Sequence, residues 1–276
     1  MNFSHYQGLA QSTAPFTIDE KWAQGRSVFG GLSAALVLTH IEAQTGLTDK
    51  DLRALNVHFC GAIVANEECQ FSCTVLSDGK SISQVQGQLI QDGKVKTLVM
   101  ACFGAQRNSS IKVPGIQLPD IKTVNESLKF PHIKGVTPNF IEHMDMRFTS
   151  KQFPFSGSDN TTMSGYMRFD DAPQVFSDAA VLALIDAWPP AVLTMLNKPA
   201  PASTVTWNIE FIQPRGELKK TDYLYYECNV LLADLGYAHT EGKIYHPNGE
   251  LLALSRQLVA VYDKVSAAKS PENNRQ

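Results

Sequence analysis

Asp186 is the residue whose surroundings most suggest chemistry: it is the sole charge between Val181 and Lys198, and its neighbours Leu182, Ala183, Ile185, Trp188 and Val192 are apolar. A carboxylate held among such groups is costly unless hydrogen-bonded. Its pKa rises toward the range in which it can accept a proton from water. The plainer alternative is an aspartate that ends a helix ahead of Pro189 and faces solvent, and pattern alone leaves both readings open. Gly30 and Gly31 open another apolar run. Glycines at a helix start let a ligand oxygen approach unpaired N–H groups at the positive end of the helix. Close packing of the helix on a sheet would ask for the same small residues.

Other chemistries find little support. Cys60, Cys69, Cys73, Cys102 and Cys228 form no CxxC pair and are odd in number, which argues against a zinc site or a disulfide scaffold and favours a reducing compartment, expected to be the cytoplasm. His40, His58, His132, His143, His239 and His246 lack metal-ligand spacing, and no P-loop or dinucleotide fingerprint occurs, so neither metal nor cofactor is expected. The stretch from Gly31 to Ala35 faintly resembles a serine-hydrolase nucleophile turn but lacks its second glycine. Ser156–Asn160 reads as a polar loop, because no Asn-Pro-x-His follows it as in a hydratase. A formal charge of −3 gives no basic field for general nucleic-acid binding. The first fifteen residues lack a basic start and a continuous apolar core, so no secretory signal is expected. Ala179–Leu196, the longest apolar stretch, is interrupted by Asp186 and Pro189-Pro190, so no membrane span is expected either.

The elements that must position these residues are written twice. Apolar runs starting at Phe29 and Phe176 each predict a buried helix of about twelve residues, apolar on all sides. A strand ending at Phe59 and another ending at Phe211 follow, sharing Asn-aliphatic-x-Phe at 56–59 and 208–211. Asp78-Gly79 and Asp92-Gly93, then Asp234-Leu235-Gly236 and Asn248-Gly249, predict tight turns that close each half with three antiparallel strands. A period of roughly 150 residues is too long for a solenoid and indicates two copies of one domain. The expected division is 1–104, a proline-bearing connector 105–138, 139–264, and a polar, disordered tail 265–276.

One helix can be covered on its whole circumference only by a sheet that curls round it. The predicted fold class is therefore α+β, a double hotdog: two tandem copies of a curved antiparallel sheet wrapped around a central helix. A packed helix leaves no cavity within its own sheet, so a ligand site is expected between the halves. Phe59, Trp207 and Phe211 are expected to pack cores.

The strings GRSVFGG at 25–31, LSDGKSISQVQGQLIQDGK at 76–94, SDAAVLALID at 177–186 and GELLALSRQ at 249–257 together resemble the tandem double-hotdog acyl-CoA thioesterases of the type II, TesB-like group. The resemblance runs over residues 16–262. It implies hydrolysis of a fatty or similar acyl-CoA without metal or cofactor, an aspartate in the second helix matching Asp186, a hydroxyl at the start of the next strand matching Thr204, and an amide on the last strand matching Gln257. Strict alternation puts Thr204 opposite Val205, Trp207 and Ile209 and on one face with Thr206, so a bulge or a one-residue slip would exchange the two threonines. Gly30, Gly31, Asn56 and Thr206 are the expected substrate contacts. Asn56 stands where some relatives carry histidine, and Gln84, Val85 and Gln86 where some carry arginines, which leaves open a non-catalytic acyl-CoA-binding protein of the same fold. Further association into a homo-oligomer, as in many relatives, is also left open.

Overall fold

Both apolar runs fold as helices in the computed structural model, which describes residues 1–150 and 152–263. The tail 265–276 lies outside the described residues. In chain order the first half contains α1 (Phe3–Ala10), β1 (Phe16–Thr17), β2 (Ala23–Gln24), β3 (Ser27–Val28), α2 (Gly30–Thr45), β4 (Asp51–Phe59), β5 (Glu68–Asp78), β6 (Ile82–Gln91) and β7 (Lys94–Gly104). The second contains β8 (Leu128–Lys129), β9 (Met144–Phe148), β10 (Thr162–Phe169), α3 (Asp178–Asp186), β11 (Ala202–Phe211), β12 (Leu224–Asp234), β13 (Tyr237–Tyr245) and β14 (Leu251–Val261).

The two central helices differ in length from the expected dozen residues. α2 runs for 16, buried from Gly31 to Ile41, and ends where Gly46 turns left-handed and its N–H closes onto the Glu42 carbonyl. α3 has 9 residues and is capped by the preceding Ser177, whose hydroxyl accepts the Ala180 N–H. It stops early because Pro189 disfavours helical geometry at Trp188 and has no N–H to continue the ladder. Asp186 is thereby its last residue. The stretch Asp178–Met195 has the composition of a membrane span (mean hydropathy 1.3), but 67% of it is buried inside the fold.

One sheet of 12 strands runs β1-β5-β6-β7-β4-β11-β14-β13-β12-β10-β9-β8. Reading outward from the β4–β11 seam, each half repeats the same order: first strand, last strand of the meander, middle strand, outer strand. At the seam Asn56 lies directly opposite Asn208, flanked by Val57 opposite Trp207 and Leu55 opposite Ile209, the register expected of two related lobes meeting about a twofold axis. Turns at Asp92-Gly93 and Leu235-Gly236 have positive φ at both central residues, a conformation that suits Asp-Gly and the second-position glycine of each turn. On β6, a Cβ at Gly87 would come within 2.7 Å of Val37 and Ile41; only glycine lets α2 settle this closely onto the sheet. The helices also pack against each other, so α2 and α3 lie on one side of the joined sheet, antiparallel.

Both seam strands carry a bulge in the same place. Arg53 is the extra residue between Leu52 and Ala54 on β4, as Val205 is between Thr204 and Thr206 on β11. The chain between the halves is mostly exposed and irregular, touching the second half at the Gln117–Glu250 bridge and through β8.

Candidate active site

The early end of α3 brings Asp186 to the N-terminus of α2. The first N–H groups of a helix have no intrahelical acceptor, and the N-cap residue Phe29 supplies no side-chain cap. Asp186 takes this role from the other half, accepting the Gly31 N–H. The approach is so close that a Cβ on Gly31 would lie 2.8 Å from the Asp186 Cβ and 2.4 Å from the Phe29 ring, and one on Gly30 would lie 3.1 Å from the carboxylate oxygen Oδ2. Gly31 is thus required sterically, and Gly30 is tightly packed, so close packing accounts for both small residues.

From the sheet, the Gln257 amide Nε2 donates to Asp186 Oδ1 at 3.2 Å. Burial pushes the Asp186 carboxyl up to about 7, while the bonds from the Gly31 N–H and the Gln257 amide hold it from rising further. Gln257 pairs with Trp207 across β14 and β11 and shares its face; the Trp207 indole N–H donates to Ser255 Oγ at 2.8 Å and locks that stretch.

The bulge decides between the threonines. Thr204 pairs with Val259 and Thr206 with Leu258, leaving Val205 as the extra residue. Val259 lies on the Gln257 face by the two-residue period of a strand, so Thr204 does too, whereas Thr206 is turned to the opposite face with Asn208. Strict alternation fails here because one inserted residue reverses the side of everything before it.

Asp186, Gln257, Thr204 and Gly30 line one pocket of about 370 Å³ at the meeting of the halves, along with Phe59, Trp188, Ser33 and Thr97. Three expected substrate contacts are not brought there: Gly31 is buried behind the wall with its N–H turned to Asp186, and Asn56 and Thr206 lie elsewhere. Asn56 is exposed on the outer face of the seam, where it accepts the Asn208 amide at 3.0 Å, and Thr206 sits beside His58 on that same face. Their strands are correct but their side chains point away. Phe59, expected as core, packs against the core and also forms part of the pocket wall. Ser33 and Thr97 were missed: a single hydroxyl in a small-residue helix and one threonine in a strand both read as packing, and only their 2.9 Å contact across the fold distinguishes them. Among the described residues no cluster of His, Cys, Asp or Glu suited to a metal occurs.

A double-hotdog chain with a half-buried carboxylate at its seam defines a class in which each helix can serve the other. Residues 18–104 match the acyl-CoA thioesterase N-terminal domain family and residues 119–261 the acyl-CoA thioesterase C-terminal domain family; the chain belongs to the acyl-CoA thioesterases. No curated protein matches it. Among solved structures it is similar to a conserved protein of unknown function with a hot dog fold from Alicyclobacillus acidocaldarius, with TM-score 0.80 and 23% identity over 95% of this chain and 99% of that one. It is similar as well to an acyl-CoA thioesterase II from Mycobacterium marinum (TM-score 0.71, 20% identity, 91% and 93% covered). A tesB protein of Mycobacterium avium subs paratuberculosis superposes with TM-score 0.72 at 14% identity, over 94% and 100% of the two chains. At such identities these likenesses speak for the fold.

Proposed function

We propose that the protein hydrolyses a fatty or similar acyl-CoA to the free acid and coenzyme A, with Asp186 as general base. The observation that carries this reading is the Asp186 carboxylate, raised to about 7 and held by Gln257 and the Gly31 N–H on the wall of a pocket. A base with a pKa near neutrality is ionised enough to accept a proton and basic enough to want it.

Water beside the thioester carbon gives its proton to Asp186 as its oxygen bonds to that carbon. Negative charge develops on the carbonyl oxygen, which the N–H groups at the open start of α2 can receive, Gly30 being the one on the pocket wall. Collapse of the tetrahedral species breaks the C–S bond, and the proton on Asp186 passes to the departing thiolate. Thr204 orients the water, and Gln257 fixes the carboxylate. A positioned base contributes about 10² to 10⁴ in rate.

The binding-only alternative drew on Asn56 and Gln84. Neither lines the pocket, so their departure from relatives bears little on hydrolysis. Purified protein incubated with acyl-CoAs of short to long chain and a thiol reagent is expected to release thiol, with kcat/KM rising as the pH climbs through about 7. Tight acyl-CoA binding without thiol release at any chain length would replace the enzyme with a binder.

A further inference from the structure

Two buried hydroxyls on the first-half wall of the pocket play no part in the scheme above. Ser33 on α2 and Thr97 on β7 are 0% and 1% exposed. Ser33 Oγ lies 2.8 Å from the Gly30 carbonyl oxygen and 2.9 Å from Thr97 Oγ1. A serine hydroxyl has one proton, and the carbonyl can only accept. With Ser33 donating to Gly30, Thr97 donates to Ser33, and the chain runs in one direction, Thr97 to Ser33 to Gly30.

The Gly30 carbonyl belongs to the same planar peptide unit as the Gly31 N–H. That N–H is the one bonded to Asp186. A Gly-Gly peptide is the link in a chain least restrained by its own side chains, and in the first turn of α2 a bond from outside adds to the hold of the helix ladder on its plane. We propose that Ser33 and Thr97 are positioning residues that clamp the Gly30–Gly31 peptide plane and so aim its N–H at Asp186. Donation to the carbonyl also polarises the peptide and strengthens the N–H as a donor. The second half supports the assignment by contrast: the matching helix and strand positions are Ala180 and Ala253, the latter opposite Phe211 as Thr97 is opposite Phe59, and the helix start there is capped by its own Ser177 hydroxyl.

This inference rests on the hydrolytic reading only for its kinetic consequence. The clamp lowers the Asp186 pKa through the Gly31 N–H, so releasing it raises that pKa. The other groups facing the carboxylate are the Gln257 amide from β14 and the Tyr226 phenol from β12, which burial keeps protonated. Ser33→Ala and Thr97→Val are compared with wild type by NMR titration of the Asp186 carboxyl carbon, assigned through Asp186→Asn, and by the pH profile of kcat/KM. Both variants are expected to move the titration upward by about half a pH unit or more and to lower kcat by about 10-fold or more with KM little changed. Thr97→Ser, which keeps the hydroxyl, recovers most of both effects. Ser33→Ala removes one atom from a helix in favour of the best helix former, so it carries the test if Thr97→Val folds poorly. An Asp186 titration unmoved in Ser33→Ala overturns the clamp whatever the activity. A shifted titration without thioesterase activity in wild type would leave the clamp standing and remove the hydrolytic reading.

Discussion

At one end of the helix pair the N-terminus of α2 meets the C-terminus of α3; at the other, the N-terminus of α3 meets the C-terminal part of α2. The related positions differ residue by residue. Where the first end has Asp186, Gln257 and Thr204, the second has Thr39, Ala101 and Leu52, the last two located by their pairing with Leu55 and Phe103. Thr39 spends its hydroxyl on the Ala35 carbonyl of its own helix at 3.0 Å. Ser177 caps α3 locally, and Asp178 beside it is ion-paired with Arg215. A pocket of about 360 Å³ persists at this second end, lined by Glu42, Leu52, Phe103, Asp178 and Arg215. The lesson is that a helix terminus becomes available for chemistry when its own residues leave it uncapped and the neighbouring helix stops short enough to reach it. Length and capping, more than pocket volume, separate the two ends.

Changing one acid at each end gives the largest contrast. Asp186→Asn is expected to keep the fold and lower kcat by about 10² or more, whereas Glu42→Gln at the second end leaves kcat within about twofold of wild type. Equal losses in steady-state assays would dissolve the distinction between the ends.

The bulge supplies a finer contrast within one strand. Thr204→Ala is expected to reduce kcat about 10-fold, and Thr206→Ala to leave it near wild type; the reverse ranking would mean that the Val205 bulge does not set the working face. Gln257→Ala removes a bond that lowers the Asp186 pKa, so the rising limb of kcat/KM moves above about 7. A limb that stays in place or moves down would show the amide has no hold on the carboxylate.

The smallest effect separates the ends by stability. Burial, with Asp178 adding to it and Arg215 opposing, pushes Glu42 up to about 7 from an ordinary 4.5. A carboxyl raised on folding contributes stability that is fully present below its unfolded pKa and is lost as pH rises through its folded one. Glu42→Gln should therefore have nearly the wild-type Tm at pH 4.5 and exceed it at pH 8, by about 1–2 kcal/mol in unfolding free energy. A difference that does not grow with pH would mean that Glu42 ionises freely in the folded protein.

Much of this was legible in the sequence, for identifiable reasons. Asp-Gly and Asn-Gly announce turns through the positive φ they tolerate, and all-apolar helices announce a wrapped sheet because no face is left for water. Asp186 was visible because a lone charge in such a run has nowhere inexpensive to go. What escaped depended on register. Which threonine faces the pocket is set by one extra residue on β11, and Asn56 faces outward because of its place on the seam, neither of which composition records. The lengths of α2 and α3 escaped in part too, since about a dozen residues are expected of each and they have 16 and 9. Ser33 and Thr97 acquire meaning only through a contact between residues far apart in the chain.

The β4–β11 seam joins two lobes carried on a single polypeptide. Were they identical subunits associating as a pair, every substitution would be made in duplicate, and a change that opens one helix start or ends one helix early would alter its mate as well. Covalent fusion lifts that constraint. One lobe is able to specialise as the donor of the carboxylate and the other as its receiver, each mutating alone, so inheritance can refine a single reaction centre while the opposite end drifts toward a purely mechanical task.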